Sequence, residues 1–189
     1  MIGGRDKYIK MFNFFCKPKD WSKNLPTWKS QYSVLNRVNA MDCLSESLIN
    51  IIYMLTGLDG SPRVLAKFSG TTVDGSSQKK VLEAANKHGI VPYNLWPTPD
   101  DFLWEEYYQE IPQEILWQAK KVKVEMVRPN LRKSPLWTLI QFPNGQFHGV
   151  AQISKTHYFD SEEGDEVKPL DYMGAKVYSQ HSIKVKICN

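Results

Sequence analysis

The chain contains no CxxC pair, and its three cysteines, Cys16, Cys43 and Cys188, are odd in number and far apart. That excludes a disulfide framework and offers no zinc-binding spacing. A reducing compartment is the expected setting. No segment approaches the roughly 18 uninterrupted apolar residues of a membrane span. The opening Met1-Ile2-Gly3-Gly4-Arg5-Asp6-Lys7 lacks the apolar core of a secretory signal. Internal repeats, low-complexity tracts and motifs for sequence-specific nucleic-acid readout are absent as well. The net charge is only +4, and the basic run Lys120-Lys121-Val122-Lys123 reads as a solvated face. Neither a nucleic acid nor a membrane is expected as a partner.

What is present is a hydrophobic fraction of 42%, enough for a real core in one unit of 189 residues. Residues 1–40 read as an irregular arm with one helix near the start. Residues 41–128 read as a mainly helical lobe. After Asp42, Leu44, Leu48, Ile51, Ile52 and Leu55 recur at helical spacing, and Gly57 supplies a stop. Ser61-Pro62 starts a short helix ending near Phe68, since Ser caps and Pro suits the first helical position. Gly70-Thr71-Thr72-Val73-Asp74-Gly75 is a loop by composition. Ser76–His88 reads as a helix stopped by Gly89, and two more are expected near 100–109 and 112–121. Residues 129–189 read as an antiparallel β lobe, with strands at Leu136–Phe142, Phe147–Ile153, His157–Asp160 and His181–Ile187. Helices first and strands second make the fold class α+β.

Three residues carry the chemistry. Cys43 opens the first helix, where unsatisfied backbone N–H groups favour a thiolate. A buried cysteine used as a small hydrophobe is the competing explanation. His148 is a polar residue inside an apolar strand, either a base or a core histidine, and Gly149 beside it leaves space for a substrate. Asp160 ends the following strand. A three-residue loop at 154–156 pairs Val150 with Asp160 and puts His148 and Asp160 on one face, one diagonal step apart. A two-residue loop puts them on opposite faces. On one face, Asp160 can accept the imidazole N–H and fix its tautomer. The alternative is a surface acid at a strand end. As metal ligands the trio lacks a fourth member.

These segments together resemble the papain-like cysteine peptidases. The likeness runs over about residues 40–162. It comprises Cys43 opening the helix, Ser61-Pro62-Arg63-Val64-Leu65, Gly70 and Gly75, Lys87-His88-Gly89-Ile90, Trp96-Pro97, and then His148 and Asp160. It is greatest to the small papain-like peptidases of tailed bacteriophages, through Phe68-Ser69-Gly70-Thr71-Thr72, Phe159-Asp160-Ser161 and Lys168-Pro169-Leu170. The resemblance implies a two-lobe fold, helical lobe first and antiparallel β lobe second. It implies Cys43 as nucleophile, His148 as general base and then acid, and Asp160 orienting His148. Gly70, Thr71, Gly75 and Gly149 would border the substrate. No cofactor and no metal are implied. The partner would be a peptide or protein substrate, with other phage virion proteins in the same setting. The place of action would be the virion or the host cytoplasm.

Two departures from the family pattern stand out. The family places an oxyanion-binding glutamine six residues before the cysteine; here that residue is Arg37, with Asn36 and Asn39 nearby. Asn39 is the expected substitute, alongside the Cys43 backbone N–H. Asp42 and Glu46 flank the cysteine, and a carboxylate aimed at the thiol opposes thiolate. Three functions therefore compete: a thiol peptidase, a papain-like phage structural or host-interaction protein with weak or no catalysis, and an NlpC/P60-type cell-wall amidase suggested by Asp42-Cys43.

Overall fold

The computed structural model describes residues 21–26, 31–160 and 166–188. The expected N-terminal helix, Cys16 and Ser161 lie outside the described residues. A short hairpin of β1 (Tyr32–Ser33) and β2 (Val38–Asn39) comes first. It is followed by α1 (Cys43–Thr56), α2 (Pro62–Phe68) and α3 (Gln78–His88). Two single-turn helices, α4 (Trp104–Tyr107) and α5 (Gln113–Leu116), are shorter than the sequence pattern implied.

The strands are β3 (Val122–Val127), β4 (Leu136–Gln141), β5 (Phe147–Gln152), β6 (His157–Asp160), β7 (Glu166–Pro169) and β8 (Lys176–Ile187). They form one antiparallel sheet in the order β3-β8-β4-β5-β6-β7. The fold class is α+β. The sheet starts at Val122, earlier than the change of pattern after Arg128. Val122 and Val124 are buried while Lys123 and Glu125 face solvent. Of the basic run, Lys123 is on the wet face of this edge strand, a placement that opposes edge-to-edge pairing.

Local rules account for the helix ends. Ser61 accepts from the Val64 N–H and Pro62 follows it. Ser77 accepts from the Lys80 N–H. Gly57 adopts a left-handed conformation and closes α1 with its N–H on Tyr53 O. The core gathers around α1, where Leu48, Ile49, Ile51 and Ile52 are all fully buried. Burying each such side chain contributes roughly 1.5–3 kcal/mol. The helix is apolar on most of its circumference because it packs against α2 on one side and β5 on the other. Among the described residues no helix is long and apolar enough to cross a membrane.

Candidate active site

Close packing puts the first turn of α1 directly on β5. A Cβ on Gly149 would lie 2.6 Å from a Leu44 side-chain carbon and 3.1 Å from the Leu44 Cα. Gly149, whose place beside the histidine suggested a substrate border, is packed against Leu44. It is the contact that lets α1 approach the strand. Successive strand residues point to opposite faces, so the neighbour His148 looks into a cleft while Gly149 takes the helix. Cys43 and His148 both line this cleft of about 470 Å³, with Gln31, Asn39, Met41, Val73 and Phe147 among the other walls.

The loop after β5 has three residues. Ile153 N–H bonds to His157 O, and the ladder pairs Ala151 with Phe159 and Gln152 with Tyr158. Val150 then faces Asp160, which puts His148 and Asp160 on one face. Their side chains meet: Nε2 of His148 donates to Oδ1 of Asp160 at 2.9 Å, both groups buried. Cys43 lies in the same cleft, close enough for its thiol to act on the imidazole's pKa, and with Nε2 taken, Nδ1 is the nitrogen left for it. Burial alone would lower the His148 pKa. The hydrogen bonds to Asp160 and Cys43, and their charges, outweigh burial and raise it well above the ordinary histidine range. The phenyl ring of Phe142 stacks at 6.2 Å from the imidazole.

The acids beside the cysteine are engaged elsewhere. Asp42 begins the helix but does not cap it with its side chain. Its carboxylate accepts from the Tyr107 hydroxyl. Burial raises its pKa from 3.8 to about 6, against the lowering effect of that hydrogen bond. Tyr107 is raised well above the ordinary phenol value by burial and by Asp42. Glu46 is buried one turn along, close enough for its charge to act on Tyr93 and Tyr107. Ser47 ties the helix to the sheet: it donates to Cys43 O at 2.7 Å and accepts from Trp137 Nε1 at 2.9 Å.

The glycine-bearing loop borders the cleft through Val73 and Asp74 rather than through Gly70, Thr71 or Gly75. Several backbone groups of this loop are bonded within it or to α2. Gly70 N–H bonds Lys67 O, Thr71 N–H bonds Ala66 O, and Thr72 and Gly75 exchange both backbone bonds at 3.1 and 2.8 Å.

Asn39 is in the cleft wall, and its Oδ1 accepts from the Met41 N–H at 2.7 Å. That bond holds Met41 at a left-handed φ of 56° just before the nucleophile turn. Sequence reasoning missed Gln31. It is 2% exposed, lines the cleft, and its Oε1 has no hydrogen-bond partner among the described residues. Gln31 and Ala40 are joined by Ala40 N–H to Gln31 O at 2.7 Å, so the hairpin between them is an excursion that returns to its starting point. The missing signal was a hairpin reading of Tyr32–Asn39. Lys168 was also missed as part of the site. Its Nζ lies 3.8 Å from Asp160 Oδ2, and both groups are buried. Among the described residues no group of three or more His, Cys, Asp or Glu could hold a metal ion.

The architecture is shared with solved cysteine proteases. The cysteine protease CMS1MS2 of Carica candamarcensis superposes with a TM-score of 0.51 at 13% identity, covering 78% of this chain and 85% of that one. Xylellain, a cysteine protease from Xylella fastidiosa, gives a TM-score of 0.58 at 13% identity over 88% of each chain. No family model matches the sequence, and no curated protein sequence matches it either. The fold is papain-like.

Proposed function

We propose that the chain is a cysteine peptidase that uses Cys43, His148 and Asp160. The observation that carries this reading is that Cys43 and His148 line one cleft while the His148 imidazole is held from behind by Asp160 at 2.9 Å. The Cys43 thiol gives its proton to His148 Nδ1. The sulfur attacks the substrate carbonyl carbon and the C=O electron pair moves to oxygen. His148 then protonates the departing amine as the C–N bond breaks, leaving a thioester. Water attacks the thioester with His148 as base, and the thiol is released with the acid product.

The oxyanion needs two donors. The backbone N–H of Cys43, at the first position of α1, is one, since first-turn amides have no partner within their helix. Gln31 is the better choice for the second. Its amide group is buried at the cleft and its carbonyl end is unpartnered, so either end can be turned inward. Asn39 fixes the turn through its oxygen, which leaves its Nδ2 amide as the alternative donor. Gln31 lies twelve positions before the cysteine, and the β1–β2 excursion accounts for the distance from the family spacing. Asp42, whose charge favoured an inactive variant, is partly neutralised by burial, and its carboxylate is taken by the Tyr107 hydroxyl.

The substrate is a peptide or protein bound as an extended strand along Val73 and Asp74, where strand-like backbone pairing is the common mode. A phage origin, with action in the virion or host cytoplasm, is supported only by the Phe68–Thr72, Phe159–Ser161 and Lys168–Leu170 motifs. The test is incubation with a peptide library and identification of new termini by mass spectrometry. Cleavage that is lost in Cys43→Ala supports the proposal. Wild-type protein that cleaves nothing and forms no Cys43 thioester overturns it.

A further inference from the structure

Asp160 poses an electrostatic problem for the chemistry just proposed. A buried carboxylate on Nε2 strongly favours the imidazolium, yet the imidazolium must surrender its proton to the leaving amine. A lone acid in this place would orient the ring and also trap the proton on it.

A cation stands behind that acid. Oδ1 of Asp160 takes His148, and Oδ2 lies 3.8 Å from Lys168 Nζ. Lys168 is on β7, antiparallel to β6 with Tyr158 opposite it, so it shares the face of Asp160 one diagonal step away. It is 4% exposed, and its ammonium sits 4.6 Å from the centre of the Tyr172 ring. Burying an ammonium costs several kcal/mol, and a buried ion pair is a poor source of stability. An apolar residue would fill the place more cheaply. Lys168 therefore needs an explanation beyond packing.

We propose that Lys168 is a positioning residue that neutralises Asp160 behind the ring, so that the acid holds His148 by a hydrogen bond without locking the proton on it. The purpose assigned to Lys168 rests on the peptidase reading; the electrostatic coupling does not. Lys168 then offsets part of the Asp160 charge that His148 meets. Among the described residues, the titratable or charged groups facing this cluster are Cys43 from α1, Asp160 from β6, Lys168 from β7, Tyr172 from the turn after β7, and Asp74 across the cleft. Phe142, at the end of β4, adds no charge.

The experiment is an NMR titration of the full chain with isotope-labelled histidine, His148 being assigned by His148→Gln. Lys168→Met removes the positive charge 3.8 Å from the carboxylate that holds the ring, so the His148 midpoint should rise by about one to two pH units. Lys168→Arg should stay near wild type. A second pair keeps the test open if Lys168→Met does not fold. Asp160→Asn leaves the lysine uncompensated and should lower the midpoint. Asp160→Asn with Lys168→Met carries neither buried charge and should bring it back up toward wild type. A Lys168→Met midpoint equal to or below wild type overturns the proposal. So do coincident midpoints for Asp160→Asn and the double variant. The two readings fail separately. A protein that cleaves no peptide but shows the shift loses its peptidase function and keeps the coupling. An active peptidase without the shift loses only Lys168.

Discussion

Nε2 of His148 and Oδ1 of Asp160 are 2.9 Å apart in a buried pocket, and the three-residue loop at 154–156 is what sets them on one face. The hydrogen bond fixes which nitrogen is left for Cys43. Asp160→Ala removes a charge-assisted bond worth about 1.5–3 kcal/mol. It should therefore lower kcat/KM by about ten- to a hundredfold, with the fold retained by circular dichroism. Full activity in Asp160→Ala would show that ring orientation comes from elsewhere.

Gln31→Ala tests the oxyanion assignment. Loss of one donor costs about two to three orders of magnitude in kcat. The alkylation rate of Cys43 should barely change, because alkylation forms no oxyanion. Asn39→Ala should disturb both rates together, since Asn39 holds the Met41 turn. An unchanged kcat in Gln31→Ala returns the donor role to another group.

Gly149→Ala is expected to destabilise the protein by about 1–3 kcal/mol, the usual cost of overpacking. The added methyl would meet Leu44 at 2.6 Å and push the first turn of α1 off β5. Urea unfolding measures this directly. Wild-type stability in the variant would mean that α1 and β5 are not in this contact.

Asp42 gives stability a pH dependence of known sign. Its folded pKa is raised to about 6 from 3.8, chiefly by burial. The folded state thus holds this proton more tightly than the unfolded chain. Its contribution to stability is greatest below about pH 4 and is lost as pH rises to about 6. The change is of the order of 3 kcal/mol. Asp42→Asn should remove that fall, whatever its absolute stability. Parallel stability curves for the two proteins over this range would contradict the assignment.

The grouping of Cys43, His148 and Asp160 was legible because each is marked by a local rule. Cys43 opens a helix with a clear apolar period, and the spacing from His148 to Asp160 follows from strand alternation and loop length. Gln31 was hidden because β1 and β2 are two residues each, too short for a period to show. The helix contact of Gly149 was not legible, because a glycine in a strand looks the same whether it makes room for a ligand or for a helix; the position of Leu44 reveals it. β3 was missed because Lys123 on its wet face read as part of a surface run. β7 was missed because it is short and carries Pro169, which an edge strand tolerates. Lys168 had no legible role, since its partner Asp160 comes from a different strand.

The most direct test is the site-resolved alkylation rate of each cysteine with iodoacetamide at neutral pH, read by mass spectrometry. Cys188 is exposed and Cys43 only partly so, so accessibility alone predicts that Cys188 reacts first. A thiol paired with the His148 imidazole should reverse that order. Cys43 should label fastest, and His148→Ala should slow it at least about tenfold, leaving Cys188 unchanged. Slower labelling of Cys43 than of Cys188, with no response to His148→Ala, would contradict a working Cys43–His148 pair.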